Sequence, residues 1–111
     1  MTTNISEYKA MWLFAMFDLP VVKPIQRKRY TQFRKGLLKE GFIMLQYSVY
    51  ARHCPSEETS DAYRNIIEGS LPPEGEVRLI AITDRQFAKM QVFYGEKTKP
   101  VEKPPPQLLL F

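Results

Sequence analysis

Residues 11–17, Met-Trp-Leu-Phe-Ala-Met-Phe, are apolar at every position, and the run is stopped by Asp18 and then Pro20. An unbroken apolar stretch of this length predicts a strand buried on both faces, the central strand of a sheet. Pro24 suits the first turn of a helix, where its missing N–H costs nothing. Downstream of it, Tyr30, Phe33 and Leu37 fall at i, i+3 and i+7. Residues 24–40 are therefore expected to form a helix with those three on a core stripe and Lys28, Gln32, Lys35 and Lys39 on a wet one, stopped by Gly41. Aromatic and branched residues dominate 42–52, which predicts a strand bent or split near 45–47. Ser56 is the expected N-cap of a second helix, with Glu57 and Glu58 at the positive end of its dipole. Its expected buried face is Ala62, Tyr63, Ile66 and Ile67, and Gly69 ends it. A Leu-Pro-Pro-Glu-Gly turn at 71–75 leads into a strand over 77–82, and 83–87 reads as a capped single turn.

The order β, α, β, β, α, β predicts an α+β fold of the ferredoxin-like plan, an antiparallel sheet with two helices on one face. The other sheet face is then open and rich in apolar side chains, so a symmetric homodimer is expected to cover it. One domain is expected over residues 1–95, of which 1–9 need not be ordered. A Pro-rich linker follows at 96–106, then a short C-terminal docking strand at 107–111, in which Leu108, Leu109, Leu110 and Phe111 need a sheet edge or a partner to bury them.

At 111 residues the chain buries about two-thirds of its unfolded surface, enough for one two-layer core but not for a deep enclosed pocket. Catalysis on a small substrate within one protomer is thereby disfavoured. The longest apolar run has 8 residues, at 10–17, against the ~20 needed for a membrane span. A polar N-terminus without signal-peptide grammar and a single cysteine, Cys54, both point to a cytoplasmic protein.

Charge sharpens the picture through its distribution. The net charge is +4, yet residues 1–55 hold nine basic and three acidic side chains while 56–111 hold seven and nine. Seven basic residues, Lys23, Arg27, Lys28, Arg29, Arg34, Lys35 and Lys39, follow one another with no acid among them. Such a run is the electrostatic footprint of a phosphate-binding face, and Arg27, Lys28, Arg34, Lys35 and Lys39 are the expected nucleic-acid contacts. A merely solvated helix face is the plainer alternative.

Asp18 is the only acid between Glu7 and Glu40 and closes the buried strand. A carboxylate there offers hard oxygen ligands for Mg²⁺, and two-fold symmetry supplies a second copy. A metal so held activates water for attack on phosphate. Asp18 also suits the Asp-Leu-Pro turn by local hydrogen bonding, and the sequence leaves both readings open. His53 and Cys54 have no second His or Cys to complete a metal or nucleophile arrangement, so a polar loop with a small buried thiol is expected. Tyr47 and Tyr50 suit a strand core better than base stacking.

Met-Phe-Asp-Leu-Pro at 16–20, Arg29-Tyr30 with Phe33-Arg34-Lys35, the run from Gly41 to Tyr50, Leu71-Pro72-Pro73 and Ile-Thr-Asp-Arg-Gln-Phe at 82–87 occur in that order. The combination resembles the CRISPR-associated protein two family over residues 10–95, closest to its type II systems. The polar residues before Met11 depart from the family's short start. The resemblance implies a ferredoxin-like homodimer in spacer acquisition, bridging two dimers of the CRISPR integrase, CRISPR-associated protein one, on double-stranded DNA. Asp18 matches the family's first-strand Asp, which implies Mg²⁺ binding and catalysis there. Family members are described as metal-dependent endonucleases on RNA or DNA, while the role in spacer capture is chiefly structural. The resemblance thus leans toward an enzyme and leaves open whether the biological role is catalytic. A ferredoxin-like toxin-type endoribonuclease acting without an integrase is the alternative.

Overall fold

A computed structural model describes residues 9–95. The expected linker at 96–106 and docking strand at 107–111 lie outside the described residues. The elements run β1 (Met11–Asp18), α1 (Pro24–Lys39), β2 (Ile43–Gln46), β3 (Val49–Cys54), α2 (Glu57–Glu68), β4 (Glu76–Thr83) and α3 (Asp84–Ala88). The strands form one sheet in the order β2-β3-β1-β4, with every neighbouring pair antiparallel. This is the expected α+β plan, with β1 in the interior of the sheet.

The uniform apolarity of β1 has a two-sided cause. Its odd positions, Met11, Leu13, Ala15 and Phe17, join Phe33 and Leu37 of α1, Ile67 of α2 and Tyr50 of β3 in the main core. Its even positions, Trp12 and Phe14, point to the opposite face and pack with Ala51 and Phe87 in a second cluster. Phe87 comes from α3, so the face expected to be free of helices carries one short helix. The Thr83 hydroxyl accepts from the Gln86 N–H at 3.0 Å, and the Gln86 side chain accepts from the Thr83 N–H at 2.8 Å. That capping box turns the chain back over the sheet, where the Phe87 ring stacks on Trp12 with centroids 4.0 Å apart. The Trp12 indole N–H donates to Asp84 Oδ1 at 2.8 Å, fixing the other end of the same contact.

The core stripe of α1 falls as predicted, with Phe33 and Leu37 buried and Tyr30 half-buried. Gly41 takes φ +89° after the helix. The expected strand over 42–52 is split at Tyr47 and Ser48, and Ser48 adopts φ +61° in the turn. In α2 the expected face is corrected. Ser60, Tyr63 and Ile67, at i, i+3 and i+7, meet the core, whereas Ala62 and Ile66 are exposed. Including Ala62 and Ile66 made the predicted stripe too wide, because the helix meets the sheet along one narrow seam.

Candidate nucleic-acid interface and carboxylate site

Asp18 is the last residue of β1 and is exposed. Antiparallel register sets it directly opposite Glu76, the first residue of β4, and sets Met16 opposite Arg78. Cross-strand partners share a sheet face, so these four side chains stand together on the face that also carries α3. Together with Phe17 they line a shallow depression of about 200 Å³. Glu76 is paired with Arg78 at 3.5 Å, a contact too exposed to hold either side chain firmly. Two carboxylates facing one another repel, and a bound cation relieves that repulsion.

The backbone behind Asp18 is fixed by Gly75. At φ +89° its missing side chain leaves room for the Asp18 carbonyl oxygen, which a Cβ would meet at 2.6 Å, and for Leu19 Cδ2 at 2.8 Å. A turn at that spot requires glycine on both counts, conformation and space. Among the described residues no group of three or more His, Cys, Asp or Glu stands close enough to hold a metal. Mg²⁺ is commonly held by one or two carboxylates, with waters and substrate phosphates completing its shell. Asp18 with Glu76 matches that hard-oxygen donor chemistry, although one copy of the chain provides only part of a ligand set.

The basic residues divide into rows on α1. At about 100° per residue, Lys28, Lys35 and Lys39 align with Gln32 on the outer face, and all four are exposed. Arg27 and Arg34 lie on the shoulder of the helix next to Tyr30. Arg34 is half-buried, and Arg27 Nη1 donates to the carbonyls of Val22 at 2.7 Å and Val21 at 3.2 Å. Arg27 therefore also braces the β1–α1 loop. Arg29, on the opposite shoulder, pairs with Glu74 at 3.4 Å. The five expected nucleic-acid contacts thus share one helix but not one line.

The β2–β3 turn belongs to this end of the sheet as well. The Phe17 N–H donates to the Ser48 carbonyl at 3.0 Å, tying the turn to β1 one residue before Asp18. The β1–β3 ladder ends at Met16 opposite Val49, so Tyr47 lies in the turn beyond it. The Tyr30 hydroxyl and Ser48 Oγ are 3.1 Å apart, and the Tyr47 ring stacks on Tyr30 with centroids 5.9 Å apart and 18° between planes. The Tyr47 phenol is pushed above its ordinary range, first by its hydrogen bond to Tyr30 and least by the Asp18 charge. Tyr50 is 1% exposed, the core residue expected, but Tyr47 is 71% exposed, which overturns the expectation that it is core. The reason is the split strand, since a residue in a tight turn has no sheet face to bury it.

His53 and Cys54 lie in β3 rather than in the expected polar loop. Cys54 is the buried thiol predicted, and burial pushes its ionisation up. His53 stands 3.8 Å from the Asp84 carboxylate and edge-on to Trp12 at 5.2 Å. Leu108, Leu109, Leu110 and Phe111 lie outside the described residues. Sequence reasoning missed Glu76 and the contact of α3 with the sheet, because both depend on strand register. The Gly75-Glu76 dipeptide at the turn was the one available hint.

The chain is similar in sequence and in fold to known proteins. The family described as CRISPR associated protein Cas2 matches residues 11–90. A protein of Parvibaculum lavamentivorans named CRISPR-associated endoribonuclease Cas2 is 48% identical over 101 residues, covering 91% of this chain and 100% of its own length. One of the same name from Flavobacterium psychrophilum is 41% identical over 109 residues, covering 98% and 95%. A solved structure described as the crystal structure of cas2 superposes with a TM-score of 0.56 at 20% identity, over 85% of this chain and 97% of that one, a likeness of fold. No helix among the described residues is long and apolar enough to cross a membrane. On the family match and these identities over nearly the whole chain, the protein belongs to the CRISPR-associated Cas2 family.

Proposed function

We propose that the protein is a homodimeric subunit of CRISPR spacer acquisition, acting in the cytoplasm, which binds double-stranded DNA and bridges two integrase dimers. The observation that carries this reading is the exposed row of Lys28, Lys35 and Lys39 on α1, with Gln32 among them and no acid between Lys23 and Lys39. Lysines spaced along one helix face follow a phosphate backbone without reading sequence. The second copy covers the sheet face opposite α1 and α2. There Ile80 is 48% exposed, and Met16, Ile43, Leu45, Val49 and Ile82 are only half-buried, since α3 shields little beyond Trp12 and Phe14. An apolar face of this kind is what an isologous dimer buries.

A second reading, hydrolysis of phosphodiesters, is favoured by the Asp18–Glu76 pair and by the endoribonuclease name of the relatives. In it Asp18 holds Mg²⁺, with Glu76 opposite and the second copy's Asp18 brought near by symmetry. The chemistry such a metal would supply is an activated water and neutralised charge at the phosphate. RNA as well as DNA then comes into question as substrate, and a toxin-type ribonuclease that needs no integrase is the limiting form of this reading.

The scaffold reading is tested by salt titration of duplex affinity. The logarithm of the binding constant should fall linearly with the logarithm of salt concentration. Lys28→Gln combined with Lys35→Gln should flatten that slope by about 2, close to one released counterion per lysine. An unchanged slope removes the α1 row from the interface.

A further inference from the structure

We infer that Tyr47 is a stacking platform for one unpaired nucleobase of a single strand. Tyr47 is the one residue of the β2–β3 turn that turns a broad aromatic surface to solvent, and it is not free to wander. Its ring leans on Tyr30, and Tyr30 packs in turn against Phe17 with centroids 5.7 Å apart. The Tyr30 hydroxyl meets Ser48 Oγ, and the Ser48 carbonyl accepts from the Phe17 N–H.

Ser48 also holds φ +61°, a backbone conformation that a side chain other than glycine adopts at a cost, and the turn keeps it there. The result is a flat, exposed ring on the α1 side of the sheet whose position is fixed before any ligand arrives. Arg27 and Arg34 flank Tyr30 on the same shoulder of α1, where they can follow the backbone of the strand whose base is stacked. The stack on Tyr30 also sets the Tyr47 ring on the α1 side of the sheet, away from the face the second copy covers. A ring so placed takes a base that is already unpaired, since bases inside a duplex offer no free π-face.

The test measures binding without cleavage, using the full chain in EDTA and a fluorescent single-stranded RNA of about ten nucleotides, with a DNA strand and a duplex alongside. Tyr47→Ala should weaken single-strand binding roughly ten-fold or more, Tyr47→Trp should retain it, and duplex affinity should stay unchanged. One abasic nucleotide moved along the strand should find a position where its loss weakens binding to the parent protein but not to Tyr47→Ala. A structural role for Tyr47 would not produce that coupling. The inference is overturned if Tyr47→Ala binds the single strand as tightly as the parent, or loses single strand and duplex alike. It is also overturned if Tyr47→Ala converts a dimer to single copies, which would make a second copy the occupant of the ring. Absence of Mg²⁺-dependent cleavage in the parent protein would sink the hydrolytic reading and leave this binding result standing on its own.

Discussion

Asp18→Asn is expected to remove Mg²⁺-dependent phosphodiester cleavage, by at least about 10²-fold, while leaving the fold in place. The size follows from the several kcal/mol that a bound metal contributes to a phosphoryl transition state, at 1.36 kcal/mol per factor of ten. The substitution keeps the shape of the side chain and deletes only its charge, so little packing changes at a residue already exposed. Stability should rise slightly, by a few tenths of a kcal/mol, because a carboxylate facing Glu76 across the ladder is replaced by a neutral amide. Single-turnover cleavage of RNA and DNA strands by pure protein, together with a thermal melt, checks both parts. Full activity in the Asn variant would place the chemistry elsewhere. Loss of activity with a lowered melting temperature would mean that Asp18 serves the fold.

Gly75→Ala is expected to be the most destabilising small substitution in the described residues near the site, by about 2–5 kcal/mol. Two costs add. A left-handed backbone charges an L-residue roughly 1–2 kcal/mol, and overpacking costs about 1–3 kcal/mol more. The overpacking is severe here because the new methyl would meet a backbone oxygen, Asp18 O at 2.6 Å, as well as a side chain. Relief requires the end of β1 to move, and with it the carboxylate. For a domain of this size the melting temperature should drop by roughly 10 °C or more. Calorimetry on the purified variant decides it, and a change below 1 kcal/mol would show that the turn can yield without strain.

The fold was readable where one residue type had one physical meaning. Pro24, Gly41, Ser56 and the capped turn at 83–87 each marked an element end that the structure bears out. The apolar run at 11–17 located the interior strand, and the spacing of Tyr30, Phe33 and Leu37 located the inner stripe of α1. What pattern alone did not reveal depended on distant partners. Ile66 and Ile67 are the same residue type side by side, and only the seat of α2 on the sheet decides that one is exposed and the other buried. Glu76 became part of the site through the β1–β4 register, and Tyr47 became exposed because the strand breaks there. Phe87 reads as the end of a turn until Trp12 is found beneath it.

A direct test of the central claim is the mass of the protein on DNA, by sedimentation velocity of a labelled duplex titrated with the full chain at low salt. Two copies joined through the sheet face opposite α1 and α2 should bind as a unit, giving a complex that gains mass in steps of two chains and dissociates as salt is raised. A chain that sediments as a single copy, or a duplex whose sedimentation never changes, would contradict it.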